Sequence, residues 1–358
     1  MTFNRCARRV AGIGLATVFA LGAFDLALAG ESHQIDGAGS SFAYPLYSAW
    51  AQPYAKQTDV KLNYQSVGSG AGQRQLAAGT VDFGASDAPW TPDVQMKEHI
   101  MQWPTAVGGV IPTIHLPGVK PGELVLSGPV LADIFMGKIA YWDDAAITGL
   151  NKGLKLPHKK IVTVHRSDGS GTTWIFTNYL SKVSPAWKEK LGFDKAVAWP
   201  GGVGGKGNEG VAAYVGRLDY SIGYNEYAYV LQNHMNYARM VNKAGKVVAP
   251  TAESFAAAAG NADWKGADRF DVVITDQPGE ATWPISGATF VAVHVQPGEH
   301  AGRIRDVLKF FDWGFKQGGE AANRLDYVPM PKSVIEFIET EWHKQIKDAK
   351  GQALWPAS

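Results

Sequence analysis

Strand-like and helix-like patterns of apolar residues alternate along the chain. Residues 61–65 alternate polar and apolar side chains with period two, and residues 107–114 form an apolar run long enough for a buried strand. Two stripes near the end of the chain recur at helical spacing, one at Ile304, Val307, Leu308, Phe311 and Phe315 and one at Val334, Ile335, Ile338, Trp342 and Ile346. We interpret both stripes as the core-facing sides of helices. The alternation predicts an α/β fold.

The most informative segment is residues 165–173, His-Arg-Ser-Asp-Gly-Ser-Gly-Thr-Thr. It follows the β-branched run 161–164, which is typical of a strand buried on both faces, and it precedes the helical pattern of residues 174–180. The pattern therefore predicts a glycine-rich turn, carrying Arg166 and Asp168, that opens a helix.

Such a turn is suited to binding an anion. A helix start leaves backbone N–H groups unpaired and carries partial positive charge. Glycines let the backbone approach a ligand, and a guanidinium is a planar fork that matches a tetrahedral oxyanion. The simpler interpretation is an ordinary helix with Asp168 or Ser170 as its N-cap. A cap explains one polar residue, but not five of them together with an arginine.

The beginning of the chain is typical of an export signal. Arg5, Arg8 and Arg9 precede the mostly apolar residues 10–28, and Ala27-Leu28-Ala29 fits a small-residue cleavage motif. We predict a signal peptide over residues 1–29, so that the mature protein begins at Gly30 in the periplasm. Without residues 1–29, 31 basic and 32 acidic residues remain, which gives no charge pattern suited to nucleic acid. The single cysteine, Cys6, lies within the leader.

The remaining 329 residues are more than a single hydrophobic core usually holds, so two domains are expected. Within them, residues 37–45, 68–72 and 81–89 are further small, polar turns next to predicted strands or helices. Pro45 suits the first turn of a helix, whereas Pro53 should kink or end that helix. Asp87, before Ala-Pro, has the local pattern of a surface turn residue.

Together these segments resemble the family of periplasmic phosphate-binding proteins, the substrate receptors of high-affinity phosphate ABC importers. The resemblance rests on Gly37-Ala38-Gly39-x-x-Phe42, Asp82-Phe83-Gly84-Ala85-Ser86-Asp87 and Asp168-Gly169-Ser170-Gly171-Thr172, with further matches at residues 123–126, 137–139, 309–313 and 325–327. It covers nearly all of the predicted mature chain. It implies a two-lobed α/β periplasmic-binding-protein fold, type II-like, with the ligand in a cleft between lobes. Lobe 1 would hold residues 30–108 and 284–358, and lobe 2 residues 109–283.

In the family, dehydrated phosphate is held by backbone N–H groups, hydroxyls, one arginine and one aspartate. Carried over by position, this implies a phosphate site made of Ser41, Phe42, Ser69, Asp87, Arg166, Asp168, Ser170, Gly171 and Thr172. Arg166 would make the charged contact and Asp168 would hold it in place. Ser40-Ser41 stands where many relatives have Ala-Thr, so that Ser41 keeps the hydroxyl.

The resemblance implies that Asp87 sets the selectivity of the site for phosphate over sulfate. Phosphate bears at least one proton near neutral pH and sulfate bears none, and a carboxylate can only accept. A site built around a hydrogen bond rejects an analogue that lacks the group by a factor of roughly 10⁴–10⁵. Asp87 is therefore expected to favour phosphate over sulfate. Arsenate, a phosphonate or a phosphate ester are alternative ligands; full dehydration of a bare tetrahedral ion argues against esters, whereas the sequence leaves arsenate open.

We expect no catalytic residue, metal or cofactor. The rival function is a phosphatase or phosphotransferase with Ser170 or Ser41 as nucleophile, but the nearest carboxylate, Asp168, stands beside Arg166 and would be a poor base. The loop 199–208 is not an NTPase phosphate loop, because Pro200 and Gly207 occupy positions that need Gly and Ser or Thr. A second helix start at that loop remains open as part of the cleft, and His165 is assigned to strand-end packing. The expected partners are inorganic phosphate and the membrane permease subunits of a phosphate ABC transporter, with the protein acting as a monomer.

Overall fold

The computed structural model describes residues 34–357. The predicted signal peptide lies outside these residues. The described strands are β1 (Gln34–Gly39), β2 (Lys61–Ser66), β3 (Phe83–Ser86), β4 (Ile100–His115), β5 (Val125–Ser127), β6 (Val162–Arg166), β7 (Val203–Gly205), β8 (Ser221–Glu226), β9 (Asn236–Tyr237), β10 (Arg239–Val241), β11 (Val247–Val248), β12 (Ser286–His294) and β13 (Val328–Pro329). They alternate with helices, so the predicted α/β class is confirmed.

The described helices are α1 (Tyr44–Thr58), α2 (Ser69–Ala77), α3 (Pro92–Lys97), α4 (Gly128–Phe135), α5 (Ala145–Thr148), α6 (Gly171–Val183), α7 (Pro185–Lys190), α8 (Gly207–Arg217), α9 (Tyr227–Gln232), α10 (Ala252–Ala259), α11 (Ala301–Gln317), α12 (Gly319–Arg324) and α13 (Lys332–Gln345). Among the described residues, no helix is both long enough and apolar enough to cross a bilayer.

The main sheet has the strand order β2-β1-β3-β12-β4-β8-β6-β7, with β9 and β13 added beside β4. β1 runs parallel to β2 and β3, and β6 runs parallel to β7 and β8. Because parallel strands place their carboxyl ends on one edge, the loops after β1 and β3 meet each other, as do those after β6 and β7. A separate small sheet has the order β11-β10-β5.

β4 joins the two groups of parallel strands. Residues 100–109 of β4 pair with β12, and residues 110–115 pair with β8, both antiparallel. All of its residues but the last are buried. The sequence pattern indicated only residues 107–114, so the strand is twice as long as predicted, starting at Ile100 and running through Pro104.

Both C-terminal stripes form the predicted helices, α11 and α13. Ile304, Val307, Leu308 and Phe311 are buried on α11, whereas Phe315 is only partly buried. The stripe on α13 is likewise buried except for the half-buried Ile335, and Ile346 follows the end of the helix. The period-two pattern of residues 61–65 is also confirmed, because β2 alternates exposed and half-buried residues.

Two local predictions were wrong in part. Pro45 lies in the first turn of α1 as expected, but the helix continues past Pro53 to Thr58. The missing N–H of a proline removes one helical hydrogen bond. Burial on both sides of that position compensates for the loss, since Trp50 and Tyr54 are buried and the Tyr54 ring lies edge-on to Phe310 at 5.2 Å.

The second partial error concerns β6, which was expected to be buried on both faces. Only Val164 and Arg166 are fully buried, while the other three residues are half-buried. β6 lies next to the edge strand β7, and Thr163 and His165, which share one face of β6, are both half-buried. His165, on the less covered face, stacks on Trp199 with ring centroids 4.9 Å apart. This contact supports the packing role assigned to that histidine.

Candidate anion-binding site

The loops that carry the predicted site residues meet at the carboxyl ends of the sheet strands. Ser41 and Phe42 follow β1, Asp87 follows β3, and Ser69 begins α2. The segment 166–172 spans the end of β6 and the start of α6. Direct contacts join these segments, because the Asp87 backbone N–H donates to Ser69 Oγ at 3.2 Å and the Gly70 N–H donates to the Gly169 carbonyl at 2.8 Å.

Ser170 is the N-cap of α6. Its hydroxyl accepts from the Thr173 N–H at 3.0 Å, so Ser170 and not Asp168 caps this helix. The simpler interpretation, an ordinary capped helix, is therefore correct for Ser170, but it accounts for no other polar residue of the turn. Capping leaves the first N–H groups of the helix without intrahelical acceptors, as at any helix start. Gly171 and Thr172, the first two residues of α6, present these groups where the other loops converge.

Gly171 is required by close packing rather than by its backbone angles. A Cβ atom at this position would lie 2.4 Å from Asp87 Oδ2 and 2.4 Å from Ser69 Oγ. Both distances are well below van der Waals contact. The start of α6 thus lies directly against one oxygen of the aspartate and one hydroxyl, which brings a helix N-terminus, an acceptor and a donor together.

Arg166 and Asp168 form a bidentate ion pair. Arg166 Nε donates to Asp168 Oδ1 at 2.8 Å, and Nη2 donates to Oδ2 at 2.6 Å. The arginine side chain is 1% exposed. Burial favours the neutral acid, but the hydrogen bonds and charge of Arg166, helped by the Gly207 N–H, hold the pKa of Asp168 below its usual value. Asp168 is therefore an ionised anchor for the guanidinium.

The guanidinium retains donors for a ligand. Besides its two bonds to Asp168, Arg166 donates from Nη1 to Thr172 Oγ1 at 3.3 Å. A guanidinium has five N–H protons, so these three bonds leave two of them. Because Asp168 binds the Nε and Nη2 edge of the guanidinium, the two remaining N–H groups point in one fixed direction.

Asp87 is buried, contrary to its local turn-like sequence, with 2% of its surface exposed. Its Oδ1 accepts from two hydroxyls, Ser40 Oγ at 2.5 Å and Thr289 Oγ1 at 2.7 Å. Oδ2 is the oxygen that faces Gly171. Burial raises the pKa of Asp87 to about 6, and the Ser40 and Thr289 hydrogen bonds and the charge of Arg166 limit that rise. At neutral pH the group is thus an ionised acceptor with one oxygen turned towards the helix start.

Phe42 contributes no side-chain polarity. Its ring is buried and lies edge-on to Tyr327 at 6.3 Å, and its carbonyl accepts from the Tyr327 hydroxyl. The backbone N–H is accordingly the group through which Phe42 would contact a ligand.

Among the residues that sequence reasoning missed are Ser40, Asn208 and Thr289, whose side chains hydrogen-bond predicted site residues. Ser40 stands beside a predicted ligand residue, and its hydroxyl was the available signal. Asn208 lies at the start of α8 and is the last residue of the glycine-rich loop 199–208, which was interpreted only as a second helix start. Thr289 lies on β12, 202 residues from its partner Asp87, and no local pattern marks it.

The site is poorly equipped to activate a nucleophile. Ser41 Oγ accepts from the backbone N–H and the side-chain amide of Asn208, and Ser170 Oγ accepts from a backbone N–H. Asp168 is held ionised by Arg166, which weakens it as a base. Within residues 34–357, no cluster of three or more His, Cys, Asp or Glu side chains is arranged to hold a metal ion.

The chain is similar to known proteins along most of its length. A PBP superfamily domain matches residues 27–313. The phosphate-binding protein PstS of Pasteurella multocida is 52% identical over 329 residues, which is 92% of this chain and 95% of that protein. PstS of Haemophilus influenzae is 48% identical over 317 residues, covering 88% of this chain and 95% of that protein.

Solved structures agree on the fold. The crystal structure of a phosphate-binding protein from Stenotrophomonas maltophilia superposes with a TM-score of 0.66 at 18% identity, covering 85% of this chain and 92% of that one. At this identity the likeness establishes the two-lobed periplasmic-binding-protein fold alone. With the sequence matches, it means that the chain belongs to the PstS family of phosphate-binding proteins, within the PBP superfamily.

Proposed function

We propose that this protein captures inorganic phosphate outside the cytoplasm and delivers it to the permease subunits of an ABC transporter. It is a binding protein and not an enzyme, in keeping with a family whose members are named phosphate-binding proteins. The observation that carries the proposal is that an anchored arginine and one carboxylate oxygen, Asp87 Oδ2, both lie against the N-terminus of α6.

The arrangement matches the chemistry of a protonated tetrahedral oxyanion. Backbone N–H groups, hydroxyls and two free guanidinium protons are donors that any such anion satisfies. One buried acceptor is satisfied only by an anion that carries a proton. We therefore propose as phosphate ligands, or as direct supports of them, the nine residues Ser41, Phe42, Ser69, Asp87, Arg166, Asp168, Ser170, Gly171 and Thr172.

We also propose that the binding site opens and closes between two lobes, 30–108 with 284–358 and 109–283. The chain would cross between them near residues 104–109 and 283–286. The pairing of β4 supports this division, since the strand changes partner from β12 to β8 between Gly109 and Val110. Closure about such crossings buries a ligand on all sides.

Export is the remaining part of the proposal. The order of basic, apolar and small residues over positions 1–29 supports a cleaved leader, a mature N-terminus at Gly30 and a monomer working in the periplasm. Sequencing the N-terminus of the exported protein tests this point. A mature chain that still begins before Arg8 would contradict it.

Titration calorimetry on protein stripped of bound anion tests the ligand. Phosphate is expected to bind, and sulfate to bind far more weakly or not at all. Arsenate, which has the shape and the proton of phosphate, is the third titrant, because tighter binding of arsenate would reassign the ligand. Equal affinity for phosphate and sulfate would contradict the proposed role of the carboxylate.

The enzymatic alternative has its own test. Purified protein incubated with an aryl phosphate and a series of divalent metal ions is expected to release no phenol above the background rate. Turnover that is lost in Ser170→Ala or Ser41→Ala would replace the binding function by a phosphatase or phosphotransferase.

A further inference from the structure

Asn208, at the start of α8, links two hydroxyls of the site that are far apart in sequence. Its Nδ2 donates to Ser41 Oγ at 3.0 Å and to Thr172 Oγ1 at 3.2 Å, and its backbone N–H donates to Ser41 Oγ at 3.2 Å. The residue is fully buried. It was not among the residues that the family resemblance implied.

The orientation of the Asn208 amide is fixed by its third partner. Oδ1 accepts from the Glu226 backbone N–H at 2.9 Å. A backbone N–H can only donate, so the carbonyl oxygen must face Glu226 and the amino group must face the two hydroxyls. The Asn208 carbonyl in turn accepts from Asn225 Nδ2 at 2.7 Å, which fixes the backbone as well.

The hydrogen bonds of Asn208 and Arg166 occupy every lone pair of the two hydroxyls. A serine or threonine hydroxyl has two lone pairs and one proton. Asn208 fills both lone pairs of Ser41 Oγ with its two N–H groups. At Thr172 Oγ1, one lone pair accepts from Asn208 Nδ2 and the other accepts from Arg166 Nη1. Each hydroxyl is then left with only its proton, which must go to an acceptor outside this network.

We propose that Asn208 is a positioning residue that forces the hydroxyls of Ser41 and Thr172 to act only as donors towards the bound anion. This inference rests on the proposed function, since it assigns those hydroxyls to phosphate. Without the amide, either hydroxyl is free to rotate and to turn a lone pair towards an anionic oxygen, which is repulsive. Asn208 itself touches no ligand in this scheme.

The donor role of these two hydroxyls is not specific to one oxyanion. A hydroxyl that donates serves any tetrahedral oxyanion, so loss of Asn208 should weaken phosphate, arsenate and sulfate by the same factor. This separates Asn208 from Asp87, whose single acceptor oxygen acts on the difference between protonated and unprotonated anions.

The test is a double-mutant cycle measured by titration calorimetry with phosphate as the ligand. Asn208→Ala is made in the wild-type protein and in a background that lacks both hydroxyls, Ser41→Ala with Thr172→Val. We expect about a tenfold loss of phosphate affinity in the wild-type protein, as for one or two hydrogen bonds, and less than about twofold in the background. Equal losses in the two proteins would mean that Asn208 only supports the fold, and would overturn the proposal.

Asn208→Asp gives a second, isosteric variant in case the alanine protein is too unstable. It keeps the acceptor for the Glu226 N–H and replaces the amino group by a second acceptor. Its negative charge repels phosphate in both proteins, so the extra loss seen only when the hydroxyls are present measures their reorientation. No extra loss would again overturn the proposal. Failure of the wild-type protein to bind phosphate would instead overturn the proposed function, and the two results are therefore distinguishable.

Discussion

Replacing Asp87 by asparagine removes one negative charge and offers a donor where the protein has an acceptor, without changing the size of the side chain. Ser40 and Thr289 still have an oxygen to donate to. We expect Asp87→Asn to narrow the ratio of phosphate to sulfate affinity, because the group that needs a ligand proton is gone. Calorimetric titration of both anions into stripped protein measures the ratio.

Asp82→Asn is the matched control for that variant. Asp82 is also buried and accepts from Arg303, but it belongs to an ion-pair cluster with Asp36 outside the network that surrounds Asp87. Its replacement should leave the ratio of the two affinities as in the wild-type protein. If the ratio of phosphate to sulfate affinity is also unchanged in Asp87→Asn, the Asp87 carboxylate does not discriminate between the two anions.

Arg166→Ala should act on all oxyanions alike. The guanidinium supplies attraction that does not depend on a ligand proton, and a hydrogen bond to a charged group contributes about 1.5–3 kcal/mol, or one to two decades of affinity. The variant also leaves Asp168 without its partner in a mostly buried position. We expect phosphate and sulfate to weaken together by at least tenfold. Weakening of phosphate alone would contradict a charge role common to both anions.

The pH dependence of stability gives an independent measurement of Asp87. Burial raises its pKa to about 6 in the folded protein, against about 3.9 for an unfolded aspartate. Between these values the folded state holds a proton that the unfolded state has released, so the contribution of Asp87 to stability falls as pH rises from about 4 to about 6 and stays low above that. Above about pH 6, burial of the ionised Asp87 carboxylate lowers the free energy of unfolding by an amount on the order of 2–3 kcal/mol.

Asp87→Asn does not titrate, so its stability relative to the wild-type protein should rise over that pH interval. Denaturant unfolding of ligand-free protein at pH 4 and pH 7 measures this difference. Arg166, Glu226 and Tyr47 also face Asp87, but they are present in both proteins and largely cancel in the comparison. A difference that does not change with pH would place the pKa of Asp87 near its ordinary value.

Sequence reasoning assigned to the candidate site residues that belong to continuous motifs, and it missed residues that contact the candidate site from other parts of the chain. The composition of residues 166–172 predicts an anion site, because a glycine-rich turn that also carries an arginine is seldom explained by helix capping alone. The burial of Asp87 could not be read from its neighbours and came only from the family resemblance. Thr289 and Asn208 are placed by tertiary structure, in which β12 and α8 bring single polar side chains to a point that their own sequences do not indicate.

At the scale of elements, the start of α6 can be tested through two glycines. Alanine is the better helix former by about 1 kcal/mol, so steric effects must account for any loss. Gly171→Ala places a methyl group 2.4 Å from Asp87 Oδ2 and from Ser69 Oγ, and we expect it to weaken binding of every oxyanion by more than about a hundredfold. Titration calorimetry with phosphate and sulfate measures this loss.

Gly216→Ala, on α8, is the matched helical control. A Cβ there meets nothing within 4 Å, and we expect a gain in stability of about 0.5–1 kcal/mol with unchanged phosphate affinity. If Gly171→Ala bound phosphate as the wild-type protein does, the close approach of α6 to Asp87 would not matter to the ligand.

Helices and strands with a regular repeat of apolar residues were predicted well. Features that depend on tertiary packing were not. The stripes of α11 and α13 and the alternation of β2 each follow from one buried face. Pro53 in α1 shows the limit of local rules, because the helix is held by buried aromatic residues on both sides of the proline. The half-exposed face of β6 depends on its place next to the edge of the sheet, which no local pattern records.

At the scale of the whole molecule, the proposed lobes predict a change of shape on binding. Small-angle X-ray scattering should give a smaller radius of gyration with phosphate than without it, as hinge closure brings the lobes together. Sulfate at the same concentration is the control and should leave the radius unchanged. The same radius in protein shown to be free of phosphate and in the complex would contradict closure.

The pairing of β4 also has a consequence for how the chain is made. Its first partner residues, on β8, begin about 105 residues after the end of the strand, and β12 begins at Ser286, about 170 residues after it. At a synthesis rate of about 5–20 residues per second, roughly 10–35 s pass before the central strand can be covered on its β12 side. Long-range pairing of this kind is slow to form. The emerging polypeptide therefore cannot complete its sheet until β12 has been made, so most of the chain is synthesised before the central strand has both of its long-range partners.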